Sequence, residues 1–286
     1  MYLNHLLPTF WRVLTLAALA AGMAAQPARA DILISPQRVT LDETNRKPII
    51  SLHNPGTEAR TYRLKWVERR LDEEGRMIAI KEGENPRSIA SMVRFSPRRV
   101  VVEPGKTQTV RLDYRPPADL APGEYRSHLL IQLEPREDGG GGTPALSGEK
   151  DGMTFRLDAL LSFSVPVFVR HGAGTATAQI TAVEPTMVER DGAKEPGLKV
   201  SLTRGGEFSS YGRLVVYQQL NAKAPVEQIS EAGGVAMYTE ISRLTRVVAL
   251  KPGTQLQPGS WVRITYEGEG TERGKIFAER EFQIGN

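Results

Sequence analysis

Three isolated histidines, His53, His128 and His171, are the candidate imidazoles of the folded chain, since His5 falls in a leader segment described below. None has a partner at zinc-ligand spacing, and separated histidines of this kind read as surface or core residues. The chain has no cysteine, which removes thiolate nucleophiles, cysteine metal sites and disulfides. There is no G-x-S-x-G elbow, no P-loop and no dinucleotide fingerprint. The four glycines at 139–142 lack the lysine and following helix that a phosphate cradle needs, so they read as linker. Asp72-Glu73-Glu74-Gly75 has incomplete calcium-ligand spacing and reads as a hairpin turn. Acidic residues are plentiful, but sequence alone does not show whether any two meet across a cleft. The expectation is a protein with no catalytic residues, no metal and no cofactor.

The chemistry that remains is recognition by backbone and apolar side chains. Phe155, Leu157, Ala159, Leu161, Phe163, Val165 and Val167 fall on one side of an alternating run. Thr154, Arg156, Asp158, Ser162, Ser164 and Pro166 fall mostly on the other. Period-two alternation means a strand with one apolar face, and this one is long against a usual five or six residues. It ends at His171-Gly172-Ala173-Gly174, which reads as a domain boundary. Such a strand either seals its own core or offers that face to another protein.

The elements around it are also strands. Arg38-Val39-Thr40-Leu41, Ile49-Ile50-Ser51-Leu52-His53, Thr61 to Val67, Thr107 to Leu112 and Tyr125 to Leu133 are separated by turn residues such as Asn54-Pro55-Gly56 and Glu103-Pro104-Gly105. The second half repeats the style at Ala178–Val183, Leu198–Leu202, Arg213–Tyr217, Thr245–Leu250, Trp261–Tyr266 and Phe277–Phe282. Strands at this spacing with few helical stretches predict an all-β protein of sandwich type. The stretch 134–152, with its glycines, charges and prolines, is expected to be a long flexible loop: either a tolerated insertion or a segment that orders with a partner.

At the N-terminus, Arg12 precedes the apolar stretch Val13 to Ala20, and Ala28-Arg29-Ala30 offers an A-x-A cleavage site. This is the pattern of a secretory signal peptide, 1–30, too short for a membrane span of about 20 residues. No second span follows, so no integral membrane segment is expected after cleavage. Removing the leader takes Arg12 and Arg29 and leaves 35 basic against 33 acidic residues, a net charge of +2 in place of +4. So weak a surplus argues against nucleic acid as a partner. An exported chain without disulfides must rest on its core, which this length permits. The expected organisation is a domain at 31–170, with a long apolar strand over 154–169, and a second sandwich at 171–286.

Several blocks, in order, resemble the PapD-like periplasmic chaperones of the chaperone–usher pathway. Ile34-Ser35-Pro36-Gln37-Arg38-Val39 is similar to the family's opening strand with its arginine. Ile50-Ser51-Leu52-His53-Asn54 is similar to the next strand and its asparagine turn, and Phe95 to Val100, Glu103-Pro104-Gly105 and Val110-Arg111-Leu112 to the block that follows. Gly123 to Leu129 and Ser164 to Arg170 resemble later strands. The resemblance implies two immunoglobulin-like sandwiches in a boomerang arrangement and a periplasmic location. It implies pilus, fimbrial or other surface-fibre subunits as clients, bound by donor-strand complementation, and an outer-membrane usher as recipient. On this reading Phe155, Leu157, Ala159, Leu161, Phe163 and Val165 form the subunit-binding strand, and Arg38 grips the subunit's terminal carboxylate. The family's second cation, a lysine near Pro166, is absent, and Arg126 and Arg156 are the candidates to replace it. Arg170 takes the place of an arginine in a structural interdomain ion pair, with Glu124 and Glu267 as candidate partners. The long loop resembles the family's long-loop branch, although the cysteine pair often found there is missing.

The alternative is a structural or adhesive extracytoplasmic sandwich whose long strand is sealed in its own fold. A third reading, a sugar-active or metal-dependent enzyme on a β scaffold, needs converging carboxylates or histidines that the sequence does not locate. An uncapped apolar strand is an aggregation hazard, so a chaperone of this kind is expected to mask it by self-capping, for example as a homodimer.

Overall fold

The computed structural model describes residues 32–135, 143–150, 153–159, 161–190 and 192–284, with 143–150 and 153–159 described through their strand pairing alone. The leader read at 1–30 lies outside the described residues. In chain order the strands are β1 (Leu33–Ser35), β2 (Val39–Leu41), β3 (Ile49–His53), β4 (Arg60–Leu71), β5 (Met77–Ile80), β6 (Val93–Ser96), β7 (Arg99–Val102), β8 (Thr107–Tyr114), β9 (Gly123–Leu133), β10 (Thr143–Lys150), β11 (Met153–Ala159) and β12 (Ser162–His171). They continue as β13 (Thr177–Arg190), β14 (Ala193–Gly205), β15 (Ser210–Gln219), β16 (Glu227–Met237), β17 (Arg243–Ala249), β18 (Trp261–Gly268) and β19 (Ile276–Gln283). One short 3-10 turn, Gly270–Glu272, interrupts them.

The sheets form two sandwiches. In the first, a sheet ordered β1-β3-β8-β6 faces one ordered β2-β12-β9-β4-β5, with β7 also paired to β4. The period-two apolar residues of both sheets meet between them: Ile50, Leu52, Val110 and Leu112 from one side, Leu64, Leu129, Ile131 and Val167 from the other. Each such side chain contributes roughly 1.5–3 kcal/mol when fully buried. The chain begins in one sheet, as β1 on β3, and crosses to the other as β2, parallel to β12. That crossing carries Arg38 to the rim of the second sheet. The turn after β3 is fixed by buried Asn54, whose Nδ2 donates to the carbonyls of Glu58 (2.7 Å) and Val102 (2.9 Å) while Oδ1 accepts the Gly56 N–H at 2.9 Å.

In the second sandwich, β13-β14-β17 faces β16-β15-β18-β19. Leu198, Val200, Leu202, Leu214, Val216, Val262 and Ile264 fill it, together with Leu71 of β4 and Phe168 of β12 from the first sandwich. The acidic turn Asp72-Glu73-Glu74-Gly75 joins β4 to β5, with Gly75 at φ +81, a conformation that favours glycine. Its tip reaches the second sandwich, where the Glu73 carbonyl accepts the Thr245 N–H at 2.8 Å.

Two expectations change. The alternating run is two strands rather than one over 154–169: β11 pairs with β10, and β12 pairs with β9 and β2. The cause is the end of β9. Leu133 makes the last rung, donating its N–H to the Leu161 carbonyl at 3.0 Å. Pro135 then follows in the sequence, a residue that cannot donate to a ladder. Among the described residues, β11 just before Leu161 pairs with β10 and not with the sandwich sheets. The second change is in the stretch 134–152, which contains β10, with Lys150 opposite Met153 and Leu146 opposite Leu157.

Leu129 has no solvent exposure and sits at the centre of the first core. Leu129→Ala is expected to cost about 2–5 kcal/mol, read as a lower urea midpoint at unchanged slope.

Candidate functional site

The apolar face of the alternating run changes character along its length. Val165, Val167 and Val169 are buried in the first core, and Phe163 packs partly against it. Leu161, just before β12, is 40% exposed. Val165 therefore does not belong with the outward-offered residues. β9 pairs with β12 along its length, whereas β2 pairs only with Val167–Val169, and the inward side chains of Val165, Val167 and Val169 meet the opposing sheet. Phe155, Leu157 and Ala159 lie on β11, opposite Gly148, Leu146 and Thr143 of β10. Their side chains, and that of Arg156, lie outside the described residues.

The outer face of the same sheet meets the second sandwich. Phe168 stands opposite Arg126 on β9 and Thr40 on β2, and Pro166 stands opposite His128. Arg38, two residues before Thr40, comes up beside them. Its guanidinium lies 4.4 Å from the ring centre of Phe168, 4.0 Å from Tyr211 and 5.3 Å from Tyr238, and its Nη2 donates to the Tyr238 hydroxyl at 3.0 Å. Such stacking holds an arginine by cation–π attraction and leaves most of its five donors for a planar anion.

Arg126 approaches Tyr238 at 3.8 Å and Phe168 at 5.9 Å, so the two arginines share both rings. Arg126 is committed, however: its Nη2 donates to Glu240 Oε1 at 2.6 Å and to the Arg69 carbonyl at 2.8 Å. Its Nε is buried without a partner. Glu240 also accepts the Leu71 N–H at 2.8 Å. Where the resemblance places a lysine, the sheet has Pro166 with His128 beside it. Burial, then Arg126, Arg69 and Arg38, push the His128 imidazole down to about 3, so it carries no charge at neutral pH.

Arg170 sits at the junction of the two sandwiches. Its Nε donates to Glu124 Oε2 at 3.1 Å, its Nη1 to Glu272 Oε1 at 2.7 Å and its Nη2 to the Ser209 carbonyl at 2.9 Å. Glu124, buried at 2% exposure, also accepts the backbone N–H of Ser209 at 3.1 Å and its hydroxyl. Burial pushes the Glu272 carboxyl up, but hydrogen bonds from Lys275 and Arg170 outweigh it and hold the group below its ordinary value. Glu267 is not part of this junction. It faces Arg213 directly across the β15–β18 ladder and pairs with it at 3.0 Å.

The histidines do not converge. His53 contacts Thr107 at 3.1 Å, His171 pairs with Glu43 at 2.8 Å, and His128 is buried beside Arg126. Among the described residues no group of three or more histidine, aspartate or glutamate side chains could hold a metal, and no helix is long and apolar enough to cross a membrane. Sequence reasoning missed Tyr211, Tyr238, Glu240 and Glu272. The last three stand at or beyond strand ends, where no period marks them.

No protein-family model matches the sequence, and no curated protein matches it. Among solved structures, the chain is similar to one from Salmonella enterica of SafA pilin in complex with the SafB chaperone, at 12% identity over 91% of this chain and 99% of that one, TM-score 0.45. It is also similar to the CsuC–CsuE chaperone–tip adhesion subunit pre-assembly complex of Acinetobacter baumannii, at 13% identity, 90% and 99% coverage and TM-score 0.42. A third is the CupB2 chaperone of Pseudomonas aeruginosa, at 12% identity, 88% and 100% coverage and TM-score 0.42.

Two measurements follow from the cleft. Because the His128 pKa is lower folded than unfolded, the unfolded chain binds more protons between about 6.5 and 3, and stability falls as pH falls through that window. A His128→Leu variant should lack that part of the pH dependence in chemical denaturation. Arg170→Ala leaves Glu124 buried and uncompensated, and is expected to cost about 3–5 kcal/mol. The double variant Arg170→Met, Glu124→Gln should recover part of the loss.

Proposed function

We propose that this chain is a non-catalytic periplasmic chaperone, which holds fibre subunits by strand donation and passes them to an outer-membrane usher. The observation that carries the reading is the position of β11. It continues the apolar alternation of β12 but lies outside the sandwich sheets, in a two-stranded sheet with β10. Two strands alone are marginal in water, and a third gives them stability. A subunit that lacks one strand presents unpaired backbone groups and an open core, and an added strand satisfies both. Phe155, Leu157, Ala159 and Leu161 are the proposed contact residues, with Phe163 at the margin. Each large one would contribute roughly 1.5–3 kcal/mol if buried in the client. Arg38 is the proposed anchor for the client's terminal carboxylate, since one of its five donors is used by Tyr238.

The rival reading, a self-sealed surface sandwich, is favoured by one observation: Val165, Val167 and Val169 face their own core. Leu161 separates the two. On the chaperone reading, Leu161→Arg changes folding stability by less than about 1 kcal/mol, because the site is already exposed. It abolishes recovery of a small exported β-rich protein when the tagged chain is pulled from the periplasm and its companions are identified by mass spectrometry. A large loss of stability, or an unchanged set of companions, would favour the self-sealed sandwich. Val165→Arg is the control, expected to cost several kcal/mol (about 3 or more) through a buried unpaired charge.

A further inference from the structure

A cavity of about 290 Å³ opens between the sandwiches beside Arg126; Arg38 does not line it. Arg69 and Arg70 at the end of β4, Arg87 and Arg126 form one wall, and Thr239 and Glu240 of the second sandwich form another. The charges do not cancel. Arg126 is neutralised by Glu240, and Glu124 by Arg170. That leaves Arg69, Arg70 and Arg87 against Glu84, three cations to one anion, a surplus of two. None of these three arginines has an ion-pair partner among the described residues; Arg87 has only the Glu124 carbonyl at 3.3 Å and the face of Tyr125 at 5.3 Å. Arg126 is nine-tenths buried with its Nε unpartnered, and the Nε of Arg69 is buried and unpartnered too. Buried donors left unmade are costly, and guanidinium forks match planar or tetrahedral oxyanions in two-point fashion.

We propose that this cavity binds a small dianionic oxyanion, of phosphate or dicarboxylate type, that bridges the two sandwiches. The cavity admits an ion of that size together with water, the surplus of two sets its charge, and the exposed guanidinium groups of Arg70 and Arg87 on its lining supply the donors. A ligand held by both walls favours one setting of the two sandwiches over others. Arg38 and the long strand do not line this site, although Arg126 shares the Phe168 and Tyr238 rings with Arg38, and the site does not depend on the chaperone reading.

The test is calorimetric titration of the full chain with inorganic phosphate and, separately, succinate, each at constant ionic strength against a chloride control. Saturable one-site binding of either is expected, and which one binds assigns the class. At ten times its Kd the ligand should raise Tm by about 3–6 °C. Arg70 and Arg87 are exposed, so R70Q/R87Q should fold with unchanged Tm in buffer and bind at least tenfold more weakly. R87Q alone should lose less. No saturable signal above chloride with either anion overturns the proposal, as does undiminished binding by the double variant.

Discussion

Val167 and Phe168 are neighbours in sequence and are buried in different cores, the first with no exposure and the second with 1%. That constraint governs the rest of the structure. β12 is the inner strand of one sandwich and, through its outer face, a wall of the other. At Val167–Val169, where both faces are covered, the strand has no side left to offer; towards its start Ser162 and Ser164 are exposed and Phe163 is half-buried. Phe168 also supplies the ring on which Arg38 and Arg126 stack, and Arg170 closes the same face two residues later. Packing, cation–π contact and ion pair are thus set by alternate residues of one strand.

Burial at this junction has an electrostatic consequence. Arg126, Arg69 and Arg38 converge where water is largely excluded, and like charges there are tolerable only with compensation. The structure compensates in three ways. Glu240 neutralises Arg126, aromatic faces take Arg38, and His128 gives up its proton. A lysine at position 166 would add a further charge beside these arginines. Proline there, with a neutral imidazole opposite, is consistent with a cleft whose cationic character is already supplied by arginine.

The strands with clean alternation were legible from sequence: β3, β4, β8, β9, β14 and β18 carry apolar residues every second position, and the burial of Leu52, Leu64, Leu112, Ile131, Val200 and Ile264 follows from it. β16 was not legible. Its pairing with β15 shifts register twice, and Gly233-Gly234 breaks the pattern of apolar residues that would have marked it. β10 was hidden by composition, although Asp151-Gly152 between Lys150 and Met153 is a strong two-residue hairpin signal. The break in the long run could not be read at all, because alternation continues through Ala159 and Leu161. What divides β11 from β12 is the end of a different strand. The same limit applies to the junction: the resemblance implied a carboxylate partner for Arg170, with Glu124 and Glu267 as candidates, but only the fold pairs it with Glu124 and Glu272 and gives Glu267 to Arg213.

The pairing of β11 with β10 also bears on how an apolar strand can stand outside the sandwiches. A strand has two backbone edges, and β10 occupies one of those of β11. This leaves less unpaired edge for non-specific association without a second copy of the chain. The cover must also be weak if the strand is to be donated, because a client gains only the difference between its own contacts and those it displaces. A two-stranded sheet meets that requirement, being marginal on its own. Pairing inside the sandwich would not where β12 is held on both edges, by β9 and, at Val167–Val169, by β2, with side chains packed into both cores. The division of one alternating run into a firmly held half and a lightly held half follows from which neighbours each half has.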